Sequence, residues 1–218
     1  HQVLDFGLHL KPGSLKTALQ KAIDGQKNLD GLLIAPVFST TAADRLTTIP
    51  PSLPFVIIDT DVPESKYLSF IGTNSFQSGQ LAARLMQMQI PYGGEIAVFR
   101  ELPENLHIYN RVDGFLSFFQ SHHNYTVDVF EANRELDPKS LGLLTHAVMQ
   151  ENPEMRGIFV SGSFSHEVSS ALNELGLLHN VRIIGYDLTP ENRSELLNGG
   201  VDLIISNRPD MQGYRGLY

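Results

Sequence analysis

The segment VRIIGYDLTPEN (181–192) places a carboxylate at a position where local structure does not require one. Asp187 follows an apolar run typical of a buried strand. Thr189 and Pro190 already supply the cap and the first residue of the next helix. Asp187 is therefore a candidate to accept hydrogen bonds from a ligand, with a role in the turn as the alternative.

Polar side chains recur at the ends of the other apolar runs. In open α/β sheets, ligands bind beyond the carboxyl ends of the strands. Carboxylates, amides, a guanidinium and an aromatic face suit a neutral, polyhydroxylated ligand, since each hydroxyl group both donates and accepts. The residues at these ends are Pro36 to Phe38, Asp59 with Asp61, Thr73 with Asn74, Arg100 with Glu101, Ser161 to Ser163 with Phe164, and Asn207 with Arg208.

Several of these positions also have a structural interpretation. Asn74 precedes a predicted helix and is followed by Gln77, which is the pattern of an N-terminal cap. Asp59 and Asp61 are also consistent with solvated loop charges, and Arg111 with a solvated helix residue. The sequence leaves both interpretations open.

Other chemistries require patterns that this sequence lacks. It has no Gly-rich phosphate loop, no G-x-S-x-G nucleophile motif, no cysteine and no helical pair of histidines. We therefore expect that the protein has no cofactor and no metal site. We also expect that it is not an enzyme, because the spacing of its residues provides neither an activated nucleophile nor an acid–base pair. The net charge of −8 argues against nucleic acid binding by this segment. No apolar run approaches the roughly 20 residues of a membrane span.

Short apolar runs alternate with helical patterns, which predicts an α/β fold with doubly wound parallel sheets. Helical spacing is clear in residues 15–23 and in 168–175, where Gly176 stands at the expected helix end. Two smaller sheets are favoured over one wide sheet, because Pro and paired Gly interrupt the pattern at MQIPYGGE (88–95). The predicted strands are 2–10, 30–36, 54–60, 67–73, 95–101, 125–132, 156–162, 181–187 and 201–207.

A set of segments occurs in the order and at the spacing of one protein family. Together they resemble the effector-binding domain of lac repressor-like (LacI/GalR-type) transcriptional regulators, which share the fold of type I periplasmic sugar-binding proteins. The GYDL and NRPxxQGY-like stretches are most similar to the regulators. The segments are FIGTNSFQSGQLAARLM (70–86), RVDGF (111–115), RGIFVSG (156–162), IIGYDLTPENRSELLNGG (183–200) and IISNRPDMQGYRGL (204–217).

The resemblance implies two strand–helix lobes joined by crossing strands, with a sugar or similar effector bound between them. Residues 1–92 would form the first lobe, 93–204 the second lobe, and 205–218 the crossover back to the first lobe. The sequence begins at what matches the second strand of the family. Its first strand, first helix and closing elements are therefore expected outside these residues.

The resemblance also implies roles for four side chains. Asp187 matches the carboxylate that contacts the effector in the family, and Arg111 matches its contacting arginine. Asn74 matches a contact at the start of the helix after the last strand of the first lobe. Asn207 occupies a crossover position that often holds Gln.

One departure limits what the resemblance implies about the ligand. Gly162 and Ser163 stand where many members have Asn-Asp, so one usual sugar contact is missing or replaced. The identity of the ligand therefore does not carry over.

The function expected from the resemblance is that of a cytoplasmic bacterial repressor. It would be a homodimer that binds operator DNA through a helix-turn-helix upstream of His1, with no membrane association. The alternative is a periplasmic sugar-binding protein of a transporter or sensor.

Overall fold

The computed structural model describes residues 29–36, 46–63, 65–102, 106–133 and 136–217. The predicted strand at 2–10, the helical pattern at 15–23 and Phe38 lie outside these residues. The described strands are β1 (Leu32–Ile34), β2 (Phe55–Ile58), β3 (Ser69–Ile71), β4 (Gly94–Leu102), β5 (Tyr125–Asn133), β6 (Met155–Val160), β7 (Arg182–Tyr186) and β8 (Leu203–Ile205). The helices are α1 (Ser75–Gln89), α2 (Leu106–Phe119), α3 (Ser140–Glu151), α4 (Ser165–Glu174), α5 (Pro190–Leu197) and α6 (Pro209–Leu217).

The chain divides into two compact units. We call residues 1–73 with 208–218 the first unit, and residues 74–207 the second unit. The return to the first unit at Arg208 lies close to the expected crossover at 205.

The first unit contains a parallel sheet in the order β1-β2-β3. Its core includes Ile34, Phe55 and Ile57. Helix α6 packs against β2 and β3, and Gly216 approaches Leu33 so closely that a Cβ atom would collide with that side chain. The last described helix therefore packs as part of the first unit.

The second unit contains a parallel sheet in the order β5-β4-β6-β7-β8. Ile96 and Val98 of β4 pack in one core cluster with α1 and α2, whereas Ala97 and Phe99 pack in another with α3 and α4. Helices thus cover both faces of the sheet, which explains why the strands are apolar at successive positions. The strand order reverses between β4 and β6, which makes their carboxyl ends the topological switch point.

Helices α1 and α2 lie in close contact because each presents a glycine to the other's backbone. A Cβ atom at Gly79 would collide with the carbonyl oxygen of Arg111, and one at Gly114 with that of Phe76. Helix α1 therefore belongs to the second unit. The division falls between Thr73 and Asn74, rather than between residues 92 and 93 as the resemblance implied.

The predicted fold class is confirmed. Every predicted strand from residue 30 onward is present, all in parallel sheets. Helix α4 covers most of the predicted helical pattern, and Gly176 beyond its end has a φ of 70°. Among the described residues, no helix combines the length and the apolarity needed to cross a membrane.

Candidate functional site

Asp187 directly follows β7 and adopts a left-handed backbone with a φ of 60°. Its N–H donates to the carbonyl oxygen of Ile205, the last residue of β8, at 3.0 Å. Thr189 caps α5 by accepting from the N–H of Asn192 at 3.2 Å, with Pro190 as the first helical residue. The helix start is thus as predicted, and the Asp187 carboxylate is not used to cap α5.

The Asp187 carboxylate accepts a hydrogen bond from Asn207. The distance from Nδ2 of Asn207 to Oδ1 of Asp187 is 3.1 Å. Two residues that are 20 positions apart in sequence therefore meet at the carboxyl edge of β7 and β8. Both were candidates from the sequence, and the structure brings them together.

Asp59 in the first unit repeats the backbone geometry of Asp187. It follows β2 with a φ of 69°, and its N–H donates to the carbonyl oxygen of Ile71, the last residue of β3, at 3.1 Å. Its Oδ2 accepts from the hydroxyl of Thr60 at 3.4 Å. Each unit therefore carries a left-handed aspartate at the carboxyl end of a strand.

Arg111 is buried, with 3% of its surface exposed. Its guanidinium carbon lies 3.6 Å from the centroid of the Tyr186 ring, and Nη1 donates to the carbonyl oxygen of Ser161. This placement contradicts the interpretation of Arg111 as a solvated helix residue. The contacts join α2 to the carboxyl ends of β6 and β7.

Tyr186 supports Arg111 from within the core. Its hydroxyl group shares a 2.6 Å hydrogen bond with the hydroxyl of Ser78 on α1. Burial raises the pKa of the Tyr186 phenol above its ordinary value of 10, while the Arg111 cation and the Ser78 hydrogen bond oppose that shift and Asp187 adds to it. The phenol is therefore neutral at physiological pH and provides an uncharged face for the guanidinium.

Asn192 holds the loops of this edge together although it is completely buried. Its Nδ2 lies 2.8 to 3.0 Å from the carbonyl oxygens of Ser163, Tyr186 and Asp187. Its Oδ1 accepts from the N–H of His166 at 3.0 Å. One side chain thus fixes the backbone on either side of the candidate site.

The remaining predicted residues have separate positions. Asn74 caps α1 by accepting from the N–H of Gln77 at 3.0 Å, so its structural interpretation is confirmed. Ser163 and Phe164 lie between β6 and α4, and Phe164 packs against the core cluster of that face. In the first unit, Asp61 accepts from the hydroxyl of Tyr67 at 3.0 Å and so has a structural partner.

Sequence reasoning missed Tyr186, Asn192 and Ser78 as supports of this edge. Asn192 stands at an ordinary helix position, and no local signal shows that its side chain turns inward. Tyr186 resembled the continuation of an apolar strand. Among the described residues, no group of three acidic or histidine side chains is arranged to hold a metal ion.

The carboxylate, the amide and the stacked guanidinium lie at the carboxyl edge of a parallel sheet, which is where α/β proteins of this architecture bind their ligands. The chain belongs to the family described as "Periplasmic binding protein domain", which it matches over residues 14–218.

The xylose/arabinose-binding protein XylF of Sulfolobus acidocaldarius is a relative of this chain. The two sequences are 29% identical over 154 residues, which is 68% of this chain and 37% of that protein. The chain therefore matches little more than a third of the length of this relative.

Two solved structures show a similar fold. The sugar-binding protein of a sugar ABC transporter from Bacillus halodurans has a TM-score of 0.84 at 24% identity, over 93% of this chain and 69% of that one. A candidate LacI transcriptional regulator from Bacteroides fragilis has a TM-score of 0.78 at 24% identity, over 92% of this chain and 71% of that one. At these identities the likeness establishes the fold alone.

Proposed function

We propose that this chain binds a neutral carbohydrate at the carboxyl edge of the second unit's sheet. The observation that carries this proposal is the hydrogen-bonded pair of Asp187 and Asn207, with Arg111 held beside it on Tyr186. A carboxylate and an amide offer acceptors and donors to sugar hydroxyl groups. The relative from Sulfolobus acidocaldarius, whose name gives xylose and arabinose as ligands, supports the same class.

A ligand screen tests this proposal. Thermal unfolding would be followed with D-xylose, L-arabinose, D-galactose and D-glucose, and calorimetric titration would give the affinity of any sugar that stabilises the protein. A sugar at about 100 times its Kd should add about 2.7 kcal/mol to the free energy of unfolding. A protein that none of these sugars stabilises, but that amino acids or nucleosides do, would contradict the proposal.

We further propose that this carbohydrate site is the effector site of a cytoplasmic transcriptional regulator. The GYDL and NRPDMQGY segments, which resemble those of lac repressor-like regulators, support this role, as does the likeness to the Bacteroides fragilis protein. An effector changes DNA binding only through its different affinity for the two states of the regulator. The intact regulator would bind operator DNA as a homodimer.

The alternative role is delivery of a sugar to a transporter, which the XylF relative and the Bacillus halodurans structure favour. The intact native protein, including any sequence upstream of His1, separates the two roles. A regulator should bind DNA from the region upstream of its own gene. The sugar found in the screen should change the affinity of the protein for this DNA. An exported protein that retains sugar binding and lacks DNA binding would contradict the regulator role.

A further inference from the structure

The switch point of the second unit's sheet carries a buried carboxylate. Strands β4 and β6 are neighbours, and the N–H of Ser161 extends their pairing by donating to the carbonyl oxygen of Phe99 at 3.0 Å. Glu101 lies at this end of β4 and has 7% of its surface exposed. A carboxylate at this depth loses most of its hydration, which costs free energy unless polar groups contact it.

The Glu101 carboxylate occupies the space that a side chain at position 162 would fill. A Cβ atom built on Gly162 would collide with Oε1 of Glu101, and its carboxyl carbon and Oε2 are also within contact distance. Gly162 and Glu101 therefore form a matched pair, in which the missing side chain of one makes room for the other.

The same strand end reaches the candidate site. Ser161, next to Gly162, accepts from Nη1 of Arg111, and Arg111 stacks on the residue that precedes Asp187. On the other side of Gly162, Nδ2 of Asn192 donates to the carbonyl oxygens of both Ser163 and Asp187. Gly162 thus lies between two residues that are both fixed to the Asp187 edge.

We propose that Glu101 is a specificity-determining residue of the carbohydrate site and replaces the ligand contact that Gly162 lacks. This inference rests on the proposed function. It also explains the departure seen in the sequence, where Gly162 and Ser163 replace Asn-Asp.

The replacement changes the chemistry of the site. An amide both donates and accepts, whereas an ionised carboxylate only accepts. The carboxyl groups of Glu101 and Asp187 both offer acceptor oxygens, so this edge favours ligands rich in hydroxyl donors.

Paired variants of the full chain test the assignment by calorimetric titration with the sugar from the panel that binds most tightly. Glu101→Ala and Gly162→Ala should each weaken binding by about 10- to 100-fold, the first by removing the carboxylate and the second by displacing it. The double variant should be no weaker than the weaker single variant, because both changes remove one contact. Glu131→Ala is the matched control, since that glutamate pairs with Arg100 at the sheet edge and its removal should leave affinity unchanged.

Monodeoxy derivatives of the same sugar separate ligand contact from a structural role. The derivative that lacks the hydroxyl group in contact with Glu101 should bind the wild type about 10-fold or more weakly than the unmodified sugar does. The same derivative and the unmodified sugar should bind Glu101→Ala equally well. If Glu101→Ala does not fold, Glu101→Leu, which is close in volume but has no hydrogen-bonding group, should show the same loss of discrimination. Unchanged affinity in the folded variant, or equal losses for every derivative in both proteins, would overturn the assignment of Glu101. A wild type that binds none of the sugars would instead overturn the proposed function, and this inference with it.

Discussion

At the scale of single residues, two aspartates adopt a backbone conformation that L-residues rarely use. Asp59 and Asp187 each follow a strand with a positive φ, and each donates its N–H to the last residue of the neighbouring strand. Aspartate tolerates this conformation better than most residues, but the conformation still costs free energy. Such a cost, repeated at equivalent places in two units, is typical of positions that serve a ligand.

The contribution of Asp187 is best measured with Asp187→Asn. Asparagine keeps the shape and tolerates the left-handed backbone, so it removes the charge and exchanges one acceptor oxygen for a donor group. Sugar binding should weaken about 10-fold, and Asp187→Ala should weaken it by about one to two orders of magnitude. Asp187→Ala should also lose about 1 kcal/mol of stability from its positive φ, so calorimetric titration should be accompanied by denaturant unfolding.

Asp128, which is exposed on β5, supplies the control for this comparison. Asp128→Asn should leave both affinity and stability unchanged. A large loss of stability in Asp187→Asn with unchanged affinity would show that Asp187 is a structural turn residue.

Asn192 should matter for stability more than its exposed helix suggests. Asn192→Ala would leave three carbonyl oxygens, of which that of Tyr186 is buried, and the N–H of His166 without this partner, at a cost of about 3 kcal/mol. Asn192→Asp should cost at least as much, because a carboxylate oxygen would face the carbonyl oxygens that now accept from Nδ2. Urea unfolding measures both changes.

Asn198, at the other end of α5, is exposed and provides the matched control. Asn198→Ala should change the free energy of unfolding by less than about 0.5 kcal/mol. If Asn192→Ala were equally mild, the hydrogen-bond network around Asn192 would not be stabilising the site.

At the scale of the elements, α1 is fixed to the sheet and to α2 by small residues and one buried hydrogen bond. Gly79 and Gly114 allow the two helices to approach, and Ser78 reaches the hydroxyl of Tyr186 at 2.6 Å. Since the guanidinium of Arg111 stacks on the ring of Tyr186, this hydrogen bond connects α1 to the candidate site through Tyr186.

A double-mutant cycle measures the interaction between the hydroxyl groups of Ser78 and Tyr186. Ser78→Ala and Tyr186→Phe should each destabilise the protein by about 1 to 3 kcal/mol, because each leaves the other hydroxyl buried without its partner. The double variant should cost less than the sum, with a coupling of about 1 kcal/mol. Additive losses in denaturant unfolding would mean that the two hydroxyl groups do not interact.

At the scale of the whole molecule, the second unit's sheet follows the doubly wound rule that ligands bind at the carboxyl edge near the reversal of strand order. Glu101 and Gly162 lie at that reversal, and Asp187 and Asn207 lie on the neighbouring strand ends. The fold therefore brings the candidate residues to the edge where this architecture binds its ligands.

The regulator role predicts that the intact protein is a homodimer. Operators with paired half-sites are read by two-fold symmetric dimers, so the DNA-binding form should have two copies. Sedimentation equilibrium of the intact protein at micromolar concentrations should give twice the chain mass. A protein that stays monomeric at high micromolar concentration would favour the transporter role.

Local patterns in the sequence determined the strands, the helix caps and the fold class. Continuous apolar runs such as EIAVFRE require burial on both sheet faces, and Thr189 with Pro190 starts α5 wherever the rest of the chain lies. These features depend on neighbours within a few residues, so the sequence alone was sufficient. The candidate status of Asp187 and Asn207 also followed from their positions at strand ends.

Only the tertiary structure decided how the site is supported. In the sequence Arg111 resembles a solvated helix residue. Only the structure shows that its guanidinium stacks on the ring of Tyr186, which is 75 positions later in the sequence. The inward turn of Asn192, the space that Gly162 leaves for Glu101, and the division between Thr73 and Asn74 likewise depend on contacts between distant segments. Packing of distant elements sets the burial of a side chain and its partners, and no local pattern encodes these, because the same residue types occur equally well on a solvated surface.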